Sequence, residues 1–321
     1  MEGMSENIEE LTAELALRAL GASRELATLP TKTKDAVLES IALLLEQSSG
    51  ELVAHNEKDL QAGRENGLSD ALLDRLTLTP ERIVEMTEGV RQVIELPDPV
   101  GEEIERSTRP NGLEIRKVRV PMGVIGIIYE SRPNVTIDCA VLCLKSGNAS
   151  ILRGGKEAFH SNKALSEIIR RALEENGVNP DSSTLIPTTD REALQHLLRL
   201  DEYVHCIIPR GGEGLIRFVA ENSRIPVIKH YKGVCNLYVD SEADLELARK
   251  IAINAKCQRP GVCNAIENLF VHQDAAAAFL PAATDSLLKE GVELRVDDRT
   301  RAALKGSSGR NGLKDATEED Y

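Results

Sequence analysis

The chain lacks several features that would define its class at once. Its 321 residues include no tryptophan, and aromatic residues make up only 3% of them. The core must therefore consist mostly of leucine, isoleucine, valine and alanine. No apolar run approaches the ~18 residues that cross a bilayer, and the first residues lack the pattern of a secretory signal. We expect neither a membrane protein nor a secreted one.

Patterns of metal ligands and of positive charge are absent as well. The six cysteines are scattered without a C-x-x-C pair, and the histidines and carboxylates show no ligand spacing. This predicts reduced thiols, no bound metal and a cytoplasmic location. Lysine and arginine number 39 against 52 acidic residues, for a formal net charge of −13. That balance argues against nucleic-acid and membrane-surface partners, although a local basic pocket could still bind a small anion.

What the chain does contain begins with helices and a hairpin. The periodicity of residues 6 to 96 predicts amphipathic helices, with Thr31 as the cap of one and Pro80 in the first turn of another. Two strands are predicted next, at Glu103–Ser107 and Leu113–Val118, and the Asn-Gly pair between them is typical of a hairpin turn. This ribbon is a candidate oligomer contact or an ordinary surface feature.

From Val120 onward, strands and helices alternate, which predicts a parallel sheet with helices on both faces. Its strands are predicted at Val124–Tyr129, Ala149–Leu152, Thr184–Ile186, His205–Ile208 and Pro226–Ile228. A shorter α/β unit begins near Lys232, with strands predicted at Val234–Val239, Ile266–Val271 and Val292–Val296. The prediction is an α/β fold in two domains, residues 1–231 and 232–321, and the polar tail from Lys305 to Tyr321 shows no periodicity.

Two glycine-rich loops follow strands of the first domain. They are Arg153-Gly154-Gly155-Lys156 and Arg210-Gly211-Gly212-Glu213. Ligands of open α/β sheets bind at the carboxyl ends of strands, and glycine lets the backbone approach a phosphate. Neither loop has the G-x-G-x-x-G order or the Walker pattern, so each alone is better explained as a tight turn than as a phosphate site. Together they predict a cofactor site, in which Lys156 or Arg153 would hold a ribose phosphate.

A cysteine at a Pro-Gly turn is the candidate for covalent chemistry. Pro260 and Gly261 end the preceding helix, and Cys263 follows in turned backbone before an apolar run. A thiol beside free backbone N–H groups can attack a carbonyl carbon while those groups hold the oxygen that becomes negative. The alternative is a small buried hydrophobic residue, as most unpaired cysteines are.

Three stretches of the chain carry a family resemblance. They are the segment 120–136, VPMGVIGIIYESRPNVT, the basic segment 229–236, KHYKGVCN, and the turn 257–265, CQRPGVCNA. Together they resemble the gamma-glutamyl phosphate reductases of the aldehyde dehydrogenase superfamily, from near the N-terminus to about residue 300. The resemblance implies a parallel-sheet cofactor domain, a second α/β catalytic domain, and the hairpin 103–118 as an oligomerisation element.

The resemblance also implies a reaction and a set of residues. The Cys263 thiolate would attack the acyl carbon of L-glutamyl 5-phosphate and expel phosphate. NADPH would then reduce the thioester to glutamate 5-semialdehyde, a step of proline biosynthesis. The N–H of Cys263 would contribute to the oxyanion hole, with Ser131 or Asn134 as the second donor. Hydrolytic relatives place a water-activating glutamate where this chain has Lys229. Substrate-binding residues would be Arg132, Lys229, His230 and Lys232.

The resemblance has consequences for partners and for the end of the chain. It implies a homo-oligomer and functional coupling to glutamate 5-kinase. Family members continue beyond the position of Tyr321, so we expect an incomplete catalytic domain. Two alternatives stay open. One is an aldehyde dehydrogenase superfamily enzyme that uses a CoA thioester, and the other is an inactive remnant that at most binds a nucleotide.

Overall fold

The chain divides into two compact units, Met1–His230 and Tyr231–Tyr321. A computed structural model describes residues 2–229, 233–260, 262–304 and 312–320. Both units contain parallel strands connected by helices. None of the helices that these residues form is long and apolar enough to cross a membrane. The assignment of the first unit to the cofactor and of the second to catalysis stays a prediction.

Five helices open the first unit, as the periodicity predicts. They are α1 Glu2–Leu26, α2 Thr31–Gln47, α3 Ser49–Glu65, α4 Asp70–Leu76 and α5 Pro80–Glu95. Pro80 lies in the first turn of α5, and the Thr79 hydroxyl accepts a hydrogen bond from the N–H of Arg82. The prediction of Thr31 as a cap is wrong. Thr31 is already helical, and its hydroxyl donates to Asp98 Oδ2 at 2.8 Å.

The predicted hairpin is confirmed. Strands β1 Glu103–Thr108 and β2 Glu114–Val118 pair antiparallel and are largely exposed. Gly112 in the connecting turn has a φ of +82°, a value that a glycine adopts without strain. The hairpin therefore projects apolar side chains such as Ile104 and Ile115 into solvent.

A four-stranded parallel sheet forms the centre of the first unit, in the order β5-β4-β3-β6. The strands are β3 Val124–Tyr129, β4 Ala149–Arg153, β5 Ser183–Leu185 and β6 Cys206–Arg210, and the helices between and after them are α6 Asn134–Lys145, α7 Phe159–Glu175, α8 Arg191–Leu197 and α9 Glu213–Asn222. The predicted strand Pro226–Ile228 is reduced to an isolated bridge between Ile207 and Val227. Pro226 has no N–H to donate, which limits a longer ladder.

The second unit is smaller and has two separate pairs of parallel strands. β7 Asn236–Val239 pairs with β8 Asn268–Val271, and β9 Leu294–Val296 pairs with β10 Leu313–Asp315. Its helices are α10 Leu245–Cys257, α11 Gln273–Lys289 and α12 Asp298–Ala303. The tail has no periodic pattern, yet β10 forms there because Leu313 packs on the apolar cluster around Phe279. Residues 305–311 and 321 of the predicted tail lie outside the described residues.

Two buried lysines connect the helices of the first unit. Lys34 in α2 has a side chain that is only 1% exposed, and its ammonium lies 2.7 Å from Asp98 Oδ2. Lys145 at the end of α6 pairs with Asp35 at 2.6 Å and donates to the Ile94 carbonyl at 2.9 Å. Burial alone would raise the pKa of Asp98. Hydrogen bonds from Lys34, the Val100 N–H and Thr31 outweigh that effect and lower it.

We predict that Asp98→Ala lowers the free energy of unfolding by about 3 kcal/mol at neutral pH, because it leaves the buried Lys34 ammonium without its carboxylate. The pKa of Asp98 is lower in the folded chain than its usual value of 3.8. Its stabilising effect is therefore complete above that usual value and is lost as the pH falls through the folded-state pKa. Urea unfolding of both proteins at neutral and acidic pH measures the difference.

Glu57→Gln is the matched control. Glu57 pairs with Arg64 at 2.8 Å on the exposed surface, and such pairs contribute only ~0–1 kcal/mol. Equal losses from the two substitutions would contradict a stabilising role for the Lys34–Asp98 pair.

Candidate active site

Cys263 lies in a turn between α10 and β8 and is exposed. The alternative of a buried structural cysteine is therefore wrong for this residue. The turn is tied to the end of α10, because the Ile266 N–H donates to the Ala255 carbonyl at 3.1 Å and Lys256 Nζ donates to the Ile266 carbonyl at 3.0 Å. Within the described part of the chain, the N–H of Cys263 has no acceptor. A thiol and an N–H without an acceptor among the described residues thus occur on one exposed residue.

Burial distinguishes four of the other five cysteines from this one. It raises the pKa of the Cys139 thiol to about 11 and that of Cys143 to about 12. Burial also raises the pKa of Cys206 and of Cys257. A thiol with a raised pKa is protonated at neutral pH and is a poor nucleophile. These four cysteines are better explained by packing than by chemistry.

Both glycine-rich loops lie at the carboxyl edge of the parallel sheet, with the segment after β3 between them. A Cβ on Gly155 would lie 3.5 Å from both the Glu130 Cα and the Ser131 nitrogen. A Cβ on Gly211 would lie 2.6 Å from the Glu130 carboxyl carbon. The structure therefore brings Ser131 and the two loops together. At Gly211 the approach is close enough that a side chain would intrude, whereas the contacts of Gly155 with Glu130 and Ser131 are of ordinary length.

Glu130 is a residue at this edge that the sequence reasoning missed. Its Oε2 accepts a hydrogen bond from the Gly212 N–H at 2.9 Å, at the N-terminus of α9. A helix N-terminus favours negative charge, so the carboxylate marks where an anion is stabilised. Glu213 in the same loop forms an ion pair with Arg217 at 2.7 Å. The sequence did contain one indication of Glu130, because this residue directly follows a fully buried strand.

Arg153 and Lys156 have different environments although both were predicted to hold phosphate. Arg153 is 9% exposed, and its guanidinium donates to the carbonyls of Gly154, Thr189 and Asp190. Because backbone carbonyls already engage it, Arg153 connects two loops instead of facing a ligand. Lys156 is exposed and lines a cavity of about 680 Å³ together with Thr188 and His160. Lys156 therefore remains the candidate for a phosphate contact.

Thr188 and Thr189 are further cavity residues that were not predicted. They follow β5 at the same edge of the sheet that carries the two glycine loops. Their hydroxyls suit the ribose or phosphate of a nucleotide. Since ligands of parallel sheets bind at this edge, their position after a predicted strand was a usable signal.

The remaining predicted residues are distributed between the two units. Asn134 opens α6, where its Nδ2 donates to Asp138 Oδ2 at 2.8 Å, so its amide is engaged locally. Arg132 and Lys229 are exposed side chains of the first unit. His230 and Lys232 lie outside the described residues, as does Gly261. Among the residues that the structure does describe, no three potential metal ligands cluster.

The fold and these loops define a class of protein. The chain belongs to the aldehyde dehydrogenase family, whose model matches residues 4–304. It is therefore an oxidoreductase that uses a nicotinamide cofactor and acts on a small molecule. The glycine loops and the cavity at Lys156 fit the phosphates and ribose of such a cofactor. An acetylating aldehyde dehydrogenase from Geobacillus thermoglucosidasius has the same fold, with a TM-score of 0.67 at 17% identity.

Closer relatives narrow the assignment. The gamma-glutamyl phosphate reductase of Opitutus terrae is 57% identical over 94% of this chain and 71% of its own length. The protein of the same name from Salinibacter ruber is 53% identical over 99% of this chain and 72% of its own length. The crystal structure of the Thermotoga maritima gamma-glutamyl phosphate reductase matches with a TM-score of 0.87 at 44% identity, over 97% of this chain and 73% of that one. Within the wider family, the chain belongs to the gamma-glutamyl phosphate reductases.

We predict that Gly154→Ala destabilises the chain by ~1–3 kcal/mol and weakens cofactor binding about tenfold, or ~1.4 kcal/mol. A Cβ on Gly154 would lie 2.1 Å from Asn162 Nδ2 and 3.2 Å from the Tyr129 ring, and both side chains are buried. Asn162 also accepts a hydrogen bond from Thr136 at 3.0 Å, which opposes its displacement. Urea unfolding and titration with NADPH by fluorescence measure the two effects.

Gly155→Ala is the neighbouring control. Its Cβ would meet the flexible end of the Glu157 side chain at 2.6 Å, and the backbone atoms nearby are at ordinary contact distances. Its effect on the free energy of unfolding should therefore be small. Equal effects at the two positions would show that the buried Asn162 side chain does not exclude a Cβ at position 154.

Proposed function

We propose that this chain reduces L-glutamyl 5-phosphate to L-glutamate 5-semialdehyde and phosphate, as a step of proline biosynthesis. The observation that carries the proposal is the exposed Cys263 thiol in its turn, with its N–H left without an acceptor among the described residues. Identity of 57% to a gamma-glutamyl phosphate reductase supplies the substrate class.

The proposed chemistry starts with the Cys263 thiolate. Its sulfur attacks the acyl carbon of the substrate, the carbon–oxygen bond to phosphate breaks, and a thioester forms on the protein. The N–H of Cys263 donates to the oxygen that becomes negative, and Ser131 is the proposed second donor. Asn134 is not proposed as this donor, because its amide donates to Asp138. A nicotinamide cofactor held at the glycine loops would supply the hydride. Cleavage of the carbon–sulfur bond then releases the aldehyde and the Cys263 thiolate.

The basic residues fit a substrate that carries a phosphate. Arg132 and Lys229 are proposed to attract the acyl phosphate, together with His230 and Lys232, which lie outside the described residues. A lysine at position 229 cannot act as the water-activating carboxylate of hydrolytic relatives. A reductase has no use for such a base, because activated water would destroy the thioester.

We further propose that the cofactor is NADPH, with Lys156 as the partner of its 2′-phosphate. The exposed ammonium of Lys156 lies on the cavity that Thr188, Thr189 and His160 also line. An ammonium close to a phosphate forms a charge-assisted contact that the unphosphorylated cofactor cannot make. The glycine loops Gly154-Gly155 and Gly211-Gly212 are proposed to approach the remaining phosphates.

Partners and location belong to the same proposal. Exposed apolar side chains on the hairpin, Ile104, Ile115 and Val118, support a homo-oligomer contact, and light scattering of the purified chain tests it. Coupling to glutamate 5-kinase is proposed because an acyl phosphate hydrolyses readily once it is free. The scattered cysteines support a cytoplasmic location.

Lys156→Ala is expected to raise the KM for NADPH about tenfold and to leave the KM for NADH almost unchanged, because a charged hydrogen bond contributes ~1.5–3 kcal/mol. Steady-state rates with each cofactor measure the change. Lys163→Ala serves as the control, since Lys163 is an exposed lysine of the following helix. Equal losses with both cofactors would exclude a contact of Lys156 with the 2′-phosphate.

Cys263→Ser is expected to lower turnover by about a thousandfold or more, since a serine hydroxyl without a base is a weak nucleophile. The assay is the oxidation of glutamate 5-semialdehyde with NADP⁺ in the presence of phosphate. Cys257→Ser, in the same stretch of chain, should retain activity. A Cys263→Ser protein that turns over normally would exclude the covalent mechanism.

The same assay separates the alternatives. Activity with phosphate and none with CoA supports an acyl-phosphate reductase. Activity that requires CoA supports a different member of the superfamily. A folded protein that binds NADP⁺ but shows neither activity supports the inactive remnant.

A further inference from the structure

Cys263 has a second thiol beside it in the same unit. Cys235 immediately precedes β7, and its Sγ donates to the carbonyl oxygen of Cys263 at 3.4 Å. The carbonyl oxygen of Cys235 accepts hydrogen bonds from the N–H groups of Glu267 at 2.9 Å and Asn268 at 3.2 Å. Cys235 therefore contacts the Cys263 turn with its side chain and the start of β8 with its backbone.

The contact brings the two cysteines within reach of a disulfide. Bond geometry places a Cα about 2.8 Å from its own Sγ and about 2.4 Å from its own carbonyl oxygen. With the 3.4 Å contact between them, the two Cα atoms are at most ~9 Å apart. A disulfide needs a Cα–Cα distance of about 4.4–6.8 Å, so the required approach is at most ~2 Å. Both cysteines lie outside helices and strands. The carbonyl of Cys235 is held by the N–H groups of Glu267 and Asn268, so the shift falls to the Cys263 turn and to the side-chain rotamers of the two cysteines.

Exposure favours this pair over the other four cysteines. Cys263 is exposed and Cys235 is half-buried. Burial raises the pKa of the remaining thiols, including the nearby Cys257. Only a thiolate attacks a peroxide, and it must be accessible to do so.

We infer that Cys235 and Cys263 form a reversible disulfide when the protein meets hydrogen peroxide. The inference rests on the proposed function only in taking Cys263 as the reactive thiol. The Cys263 thiolate attacks one peroxide oxygen, the O–O bond breaks, and hydroxide leaves, so the sulfur is oxidised to a sulfenic acid and the peroxide is reduced. The Cys235 thiol then attacks that sulfur, the S–S bond forms, and the S–O bond breaks with loss of water. In total, two thiols and one peroxide give one disulfide and two waters.

Cys235 thereby preserves the nucleophile. A sulfenic acid without a neighbouring thiol is oxidised further to a sulfinic acid, which dithiols do not reduce. A disulfide with Cys235 stops the oxidation at the reversible stage. Reduction by a dithiol then returns both thiols.

The test compares the complete 321-residue chain, wild type, with the variants Cys235→Ser and Cys257→Ser. Serine at position 235 keeps a donor to the Cys263 carbonyl. Each reduced protein receives stoichiometric and then excess hydrogen peroxide, followed by dithiothreitol. Free thiols are titrated, and digested peptides are identified by mass spectrometry. The wild type and Cys257→Ser should lose two thiols, yield a linked Cys235–Cys263 peptide and recover both thiols. Cys235→Ser should yield Cys263 sulfinic acid that dithiothreitol leaves unchanged.

Absence of the linked peptide in the wild type, or full thiol recovery in Cys235→Ser after excess peroxide, would overturn the inference. These readouts do not depend on turnover, so they stand apart from the proposed function. A linked peptide together with an active Cys263→Ser protein would support the thiol pair and reject the covalent mechanism. An inactive Cys263→Ser protein, together with no linked peptide in the wild type, would support the covalent mechanism and reject the thiol pair.

Discussion

The pairing of β3 with β4 on one side and β6 on the other decides what the first unit can bind. All six residues of β3 are buried, so a slip of one residue would reverse which side chains point to each face of the sheet. With that register held, parallel strands end at one edge, and the loops that follow β3, β4 and β6 must converge there. The close approach of Gly155 to Ser131 and of Gly211 to Glu130 is the direct result. The positions of the loops at this edge thus depend on the burial of β3 within the sheet.

The convergence of loops was predictable, whereas their internal contacts were not. Hydrophobic runs and glycine loops placed the strands within a few residues, and the rule that parallel strands end together then placed the loops. Which side chain faces a ligand depends on pairs far apart in sequence, such as Arg153 with the carbonyls of Thr189 and Asp190. Local pattern carries no information about such a pair. This is why Arg153 and Lys156, three residues apart, were assigned the same role although the structure separates them.

Short strands and helix caps were not predicted correctly from the sequence, for a related reason. A helix of several turns shows its period, but three-residue β10 has too few positions for alternation and forms because Leu313 reaches an apolar cluster. Thr31 has the side chain of a cap, yet its hydroxyl is taken by Asp98, which also pairs with Lys34. Asp98 lies 67 residues after Thr31 in the sequence. Contacts with residues distant in sequence therefore override local propensity at β10 and Thr31. The long helices follow their sequence periodicity.

The exposure of Cys263 makes its thiol available both to a substrate and to an oxidant. Burial protects most thiols of this chain by keeping them protonated, and the same burial removes them from chemistry. A thiol that is to form a thioester must be exposed, and exposure admits peroxide as readily as substrate. Protection by further burial would therefore abolish the reaction, whereas protection by a second thiol would not. The contact of Cys235 with the Cys263 carbonyl can meet both requirements, because a disulfide removes the nucleophile only for as long as the oxidant persists.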